Sequence, residues 1–377
     1  MKKKLSLMQV LLMFTGVSCG PYFLVNFGTQ MHNLNMLSLL IAFIFMGFFY
    51  YQFMLLLEDL AKSTNSTDIR DMVMAVQPKY HTVCTWLFYI YFVVILTILT
   101  SLTKTTLDCF GFIPNIVQYG LIFSVLFLGG KYENLLIGSD VLFNLIKFFF
   151  VSSFIIVAIL FFYSHPESSI LKQNMTLGIS FNTIISGLLF AMGCFVGMDT
   201  ILHVKSDMDE KVFRKALRAI PIIAGSIYVL IILVSGSIFT SEEQGINLIP
   251  AFFKDKLGLM LINRIELSLM LIMQFSSIMT MLYLASKMSR LCLPKVIVEK
   301  KFGANAFTIA MWIVAFFSAG NGIAFIFEVF MCIIGIHFPI LHILRSRQLK
   351  QKVSIKAVLF FIIYLLLFIK KVYDLIP

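Results

Sequence analysis

The stretch FNTIISGLLFAMGCFVGMD, from Phe181 to Asp199, is apolar along most of its length, yet it carries Gly193 and Gly197 four residues apart and ends on an acid. Glycine lets a helix unwind at little steric cost. The N–H and C=O groups that unwinding frees are tolerable in lipid only where they face a cavity, a ligand or other protein groups. A second interruption stands near the start of the chain, where Gly16-Val17-Ser18-Cys19-Gly20 precedes Pro21. Both segments are also Gly-x-x-x-Gly patterns, which commonly allow close helix packing, and spacing alone does not choose between breakage and packing.

The remaining sequence says which solvent these segments meet. Of 377 residues, 59% are hydrophobic and 13% charged, with a mean hydropathy of +0.93. Too little polar surface is left to cover a water-soluble globule, so lipid is part of the solvent. The net charge of +11 does not point to nucleic acid, because the basic residues fall between apolar runs and not on one face. Cys19, Cys194 and Cys332 lie inside apolar runs and Cys84 and Cys292 at the edges of others, so thiols and no metal site are expected. There is no phosphate-binding glycine loop, no metal-spaced His or Cys cluster and no Gly-x-Ser-x-Gly elbow. Neither an enzyme nor a cofactor is expected.

A hydrocarbon core roughly 30 Å thick takes about 20 helical residues to cross. Apolar runs near that length predict about eleven membrane helices, at approximately 7–30, 34–57, 83–103, 113–129, 145–163, 182–203, 219–240, 264–287, 305–318, 322–343 and 355–372. Met1 to Gly20 resembles a signal peptide, but the apolar stretch continues through Phe23 and Val25, which favours a retained helix. Lys and Arg resist translocation and accumulate on the cytoplasmic side. A cytoplasmic N-terminus puts Lys2 to Lys4, Lys62, Arg70, Lys205 to Arg218, Lys287 to Lys301 and Arg345 to Lys356 on that side, and leaves the alternate loops poor in charge. No loop reaches the roughly 50 residues of an independent domain, so residues 1–377 are read as one polytopic membrane domain. The two interrupted helices each open a five-helix half, about 7–163 and 182–343, with an extra helix at about 355–372 that either spans or lies in the interface, since its Lys370 and Lys371 stand against the charge bias. Interruptions at matching positions of two halves point to a carrier built from inverted repeats, with its ligand at the midplane. An α-amino acid suits such a site: half-helix N–H groups attract its carboxylate and freed carbonyls its ammonium.

Phe195-Val196-Gly197-Met198-Asp199, then Lys205, Lys211, Arg214 and Arg218, then Ala219-Ile220-Pro221, resembles the sixth-helix region of the amino acid–polyamine–organocation transporter superfamily. Within it, the resemblance is to the spore germination permease family, the B subunits of nutrient germinant receptors. Ile220-Pro221-Ile222-Ile223 with Tyr228, Thr240-Ser241-Glu242-Glu243 with Pro250, Arg264-Ile265-Glu266, Gln274-Phe275, and Phe338-Pro339-Ile340-Leu341 before Arg345 and Arg347 continue it in order. The first helix departs from the family pattern, which is a glycine-rich stretch ending in Leu-Pro. The resemblance implies a LeuT-like 5+5 inverted repeat in a bacterial plasma membrane or spore inner membrane, with A-type and C-type receptor subunits as partners.

Substrate contacts are expected from Gly16, Val17, Ser18, Cys19, Gly20, Gly193, Phe195, Val196 and Gly197. The resemblance also singles out Lys147, since a fifth-helix lysine in proton-coupled members takes the place of a bound sodium ion. Burial lowers a lysine pKa toward exchange, and this reading aims its ammonium at the first break and at Ser276, Ser277 or Thr280. The alternative is a lysine whose head snorkels to the interface. Asp199, Arg264 and Glu266 are candidate gating residues; Arg264 and Glu266, two apart, cannot share a helix face. Thr97, Thr100 and Ser101 either line the cavity or satisfy their own backbone. Three functions follow: a germinant sensor, a proton-coupled amino-acid permease, or a structural scaffold in which the breaks are packing alone.

Overall fold

In the computed structural model the described residues are 4–18, 21–66, 68–131, 133–164, 168–176, 179–195, 197–240, 248–299 and 303–373. The apolar runs form α1 (Leu7–Ser18), α2 (Pro21–Leu34), α3 (Met36–Thr64), α4 (Ile69–Val76), α5 (His81–Asp108), α6 (Asn115–Lys131), α7 (Glu133–Ser164) and α8 (Ser168–Thr176). They continue as α9 (Phe181–Phe195), a 3₁₀ segment Asp199–Asp207, α10 (Glu210–Ile238), α11 (Leu248–Asp255), α12 (Met260–Cys292), α13 (Lys295–Val298), α14 (Gly303–Ala319), α15 (Ile323–Gln348) and α16 (Ile355–Tyr373). Six passes are long and apolar enough to cross a membrane: α3, α5, α9 with its 3₁₀ continuation, α10, α12 and α15. The apolar stretches in α6, α7 and α14 are shorter. With the divided α1–α2 pair and α16, these account for the eleven predicted segments among the described residues.

The inverted repeat shows in which helices touch. Pair α1–α2 with α9, α3 with α10, α5 with α12, α6 with α14, and α7 with α15. The packing of α3 on α9 is then answered by α10 on α1, α5 on α15 by α12 on α7, and α5 on α14 by α12 on α6. The contacts α3–α10 and α5–α12 are their own counterparts, as a pseudo-two-fold axis requires.

Local chemistry sets several boundaries. Asn35 accepts from the Ser38 backbone N–H at 2.8 Å to start α3, and Asn65, in a left-handed conformation, ends it. Pro21 occupies the first position of α2, where its missing N–H costs nothing. The sequence placed the start of the seventh pass near Ala219 and put Arg214 and Arg218 in a loop. Instead α10 begins at Glu210, because Phe213, Ala216 and Leu217 turn one apolar face inward while the basic residues take the other. The fifth pass likewise begins at Glu133, and α4, α8 and α11 occupy segments read as loops.

The C-terminal helix α16 runs antiparallel along α15. Lys371 pairs with Glu328, and the Tyr364 ring lies where a Cβ on Gly335 would be. Phe360 meets Phe53 of α3 with centroids 5.5 Å apart, and Lys356 donates to Gln52 at 2.8 Å. Lys371, which opposed the charge bias in the sequence, is thus neutralised by a carboxylate on the neighbouring helix.

Candidate substrate site at the paired helix breaks

Two glycines in α9 do different things. Gly197 has φ +98°, a left-handed conformation that L side chains rarely adopt, and it turns the chain from α9 into the 3₁₀ segment. Gly193 provides space: a Cβ there would stand 2.7 Å from Cε1 of Tyr22 on α2. Breakage and packing, the two readings of the glycine pair, are each true of one glycine.

Around this contact the two broken helices share an aromatic layer. The Tyr22 ring lies 5.6 Å from Phe190 of α9 and 5.4 Å from Phe327 of α15, while Phe195 stacks on Tyr50 of α3 at 5.2 Å and 16°. The freed backbone is partly taken up from neighbouring helices. Tyr228 of α10 donates to the Cys194 carbonyl at 2.7 Å, Tyr50 reaches the Met192 carbonyl at 3.5 Å, and Thr200 bonds the Gly197 carbonyl. Opposite, Asn26 donates to the Tyr22 carbonyl at 3.0 Å within α2. These bonds satisfy part of the backbone at the end of α9, and the first turn of α2 stands beside it through Tyr22. That half-helix terminus favours negative charge.

Asp199, which opens the 3₁₀ segment, is buried at 7% exposure. Beyond it the segment is fastened to its surroundings. His203 sits edge-on to Phe92 of α5 at 4.9 Å, and its carbonyl accepts from Lys287 of α12 at 2.5 Å; the same ammonium reaches Asp207 at 3.3 Å. Lys205 donates to the Ser66 carbonyl at 2.8 Å. Leu5, ahead of α1, donates to the Asp207 carbonyl at 2.8 Å and bridges Met208 in parallel. The chain ahead of the first break is therefore tied to the end of the second.

Of the predicted residues, Gly193 faces Tyr22 of α2, the Phe195 ring packs instead on Tyr50 of α3 and Tyr228 of α10, Gly197 turns the chain, and Asp199 is buried just beyond it. Cys19, Gly20 and Val196 lie outside the described residues, as do the side chains at 16–18. Lys147 is on α7, which packs on both α1 and α12; its side chain also lies outside the described residues. Ser276, Ser277 and Thr280 are buried on α12, where Ser277 donates to the Met273 carbonyl at 3.1 Å and Thr280 to that of Ser276 at 3.0 Å. Arg264 is exposed and Glu266 buried, two faces of one helix, and Glu266 Oε2 has no hydrogen-bond partner among the described residues. The threonines of α5 mostly bond their own helix: Thr97 donates to the Val93 carbonyl and Thr103 to that of Leu99, each at 2.8 Å. Thr100 also bonds its own helix, donating to the Thr97 carbonyl at 2.8 Å, and in addition accepts from the Trp312 indole of α14 at 2.9 Å. Among the described residues no His, Cys, Asp and Glu group could hold a metal, and the described cysteines form no disulfide.

Sequence reasoning missed Tyr22, Tyr50, Phe327 and Lys287. Tyr22 directly follows the proline after a glycine break, a readable signal. The others come from distant helices and carry none.

No protein-family model matches the sequence, and no curated protein matches it. Among the solved structures that match in fold is a substrate-bound, outward-open Na⁺-coupled sialic acid symporter. It aligns over 99% of this chain and 91% of its own, with a TM-score of 0.62 and 12% identity. At that identity the likeness shows the fold: a helical, multi-pass membrane protein of LeuT-like transporter architecture.

Proposed function

We propose that this protein is a secondary carrier that binds a small, amino-acid-like solute where the α1–α2 break meets the end of α9. The contact of Gly193 with Tyr22 carries the reading, because it makes each broken helix part of the other's wall. The α2 N-terminus takes the solute's carboxylate, the remaining carbonyls at the end of α9 take its ammonium, and the aromatic layer of Tyr22, Phe190 and Phe327 covers it. Sialic acid, the substrate named for the structural neighbour, is also a carboxylate. Lys147 supplies the coupling charge beside α1 and α12, and the basic end of the bundle, with the N-terminus, is cytoplasmic. The test is uptake of labelled amino acids into proteoliposomes under an imposed proton or sodium gradient. Proton-driven uptake lost in Lys147→Ala supports the reading; sodium-driven uptake that survives the substitution removes Lys147 from coupling.

A second reading, the germinant sensor of a spore inner membrane, rests on the ordered resemblance from Gly193 to Arg347. It requires ligand binding without uptake, and copurification with A-type and C-type receptor subunits.

A further inference from the structure

Away from the helix breaks, the ends of α3 and α15 line a cavity of about 530 Å³ at the basic end of the bundle. Lys62, Arg345 and Lys352 line it against one carboxylate, Asp59, with Ser63 and His342 between them. Arg345 is pinned: it donates to the Ser63 carbonyl at 2.6 Å and to Gln348 Oε1 at 3.3 Å. Its Nε is buried and has no hydrogen-bond partner among the described residues, and the same holds for Nδ1 of His342. Buried polar atoms without partners are rare in native proteins and call for an explanation.

The rim is built by a turn. Lys350 has φ +54°, which non-glycine residues seldom adopt, and Gln351 donates back to the Ser346 carbonyl at 2.9 Å. That turn brings Gln351 and Lys352 onto the cavity that Arg345 floors. The depth is defined by the flanking helices. Phe338, one turn from His342 on α15, is fully buried, Leu60 is buried on α3, and α16 begins at Ile355, three residues past Lys352. The cavity therefore lies at the ends of the helices, the place where basic pockets between membrane helices take lipid phosphates.

We infer that this cavity binds the phosphate of an anionic phospholipid headgroup. Lys62 and Lys352 donate to the phosphate oxygens from the exposed rim, the pinned Arg345 guanidinium adds its fixed charge beneath them, and Asp59 accepts from a headgroup hydroxyl, which suits glycerol.

Native mass spectrometry of the full chain, with added phosphatidylglycerol, phosphatidylcholine or glycerol phosphate, tests this. The expected result is a persistent phosphatidylglycerol adduct that binds roughly thirtyfold more weakly in the exposed-rim variant Lys62→Ala/Lys352→Ala. Arg345→Gln should also lose it. The rim variant keeps the Arg345–Ser63 bond, so its loss of lipid is not a folding defect. Equal binding of phosphatidylcholine, or an adduct unchanged in the rim variant, overturns the inference. Glycerol phosphate binding that phosphatidylglycerol does not displace also overturns it, in favour of a soluble phosphate.

Discussion

The two ends of the bundle are held shut by different forces. At the basic end, charge-assisted bonds cross between elements: Lys287 to His203 and Asp207, Lys205 to Ser66, Arg345 to Ser63, and Arg218 to Glu58 in a two-bond fork at 3.0 Å each. Toward the opposite end one ion pair, Lys371 with Glu328, joins α16 to α15, and the joints around α8 and α11 are amides and rings. Asn174 of α8 donates to the Gly236 and Phe239 carbonyls at 2.8 Å, Asn263 to that of Pro250 at 2.7 Å, and Phe252 packs edge-on against Phe154 and Phe161. Charged bonds are short, directional and lost together when an element moves, whereas ring contacts can slide. Under the proposed carrier reading the basic end acts as a latch and the other as a lid, so substitutions at the two should fail differently.

The largest effect is expected between the two, at Gly193. Its neighbour in kind, Gly47 of α3, faces the Phe195 ring at an ordinary 3.7 Å, whereas Gly193 would meet Tyr22 at 2.7 Å. Overpacking of this sort costs about 1–3 kcal/mol. Gly193→Val should abolish ligand binding, or weaken it at least tenfold, while Gly47→Ala leaves it unchanged, read by ligand-induced thermal shift. Equal tolerance at both positions would separate the two broken helices.

Next comes the latch. Lys287→Met removes a hydrogen bond to a charged donor and an ion pair from the 3₁₀ segment, a loss of about 1.5–3 kcal/mol. If those bonds are made only when the basic end is closed, the open form should gain roughly tenfold or more in population. Thiol labelling of Thr200→Cys, a fully buried position on that segment, should speed up accordingly. Unchanged labelling would mean that the segment does not move. Tyr228→Phe is the milder counterpart on the α9 side: it strips the Cys194 carbonyl of its donor and should lower stability by about 1–2 kcal/mol, seen as a reduced Tm in detergent.

How much of this was readable depends on where each signal resides. The helical, multi-pass architecture was legible because membrane helices announce themselves by local composition, and six of the expected segments are helices long and apolar enough to cross a membrane. Helix ends were not: α10 gains Glu210–Arg218 through amphipathic turns whose buried face depends on α3 and on the Glu58 carboxylate. The site was half legible. Gly193 and Gly197 were found by residue type, but spacing could not say that one meets Tyr22 and the other carries φ +98°. Lys287 looked like any cytoplasmic lysine, since its partners lie 84 and 80 residues away in sequence. The α5 threonines show the reverse case, where the plain expectation that hydroxyls bond their own helix explains most of them.

The smallest effect sharpens the contrast within the latch. Lys4 and Asp209 form a short ion pair at 2.6 Å, but their side chains are 58% and 63% exposed. A pair so wet is screened by salt and by its own side-chain freedom, and is worth about 0–1 kcal/mol. The neighbouring bond from Leu5 N–H to the Asp207 carbonyl is backbone, so it survives any side-chain change at Lys4. Lys4→Ala should therefore shift labelling of Thr200→Cys less than about twofold, and that shift should vanish in high salt. A change as large as that of Lys287→Met would place the latch in the N-terminal strap and not in α12.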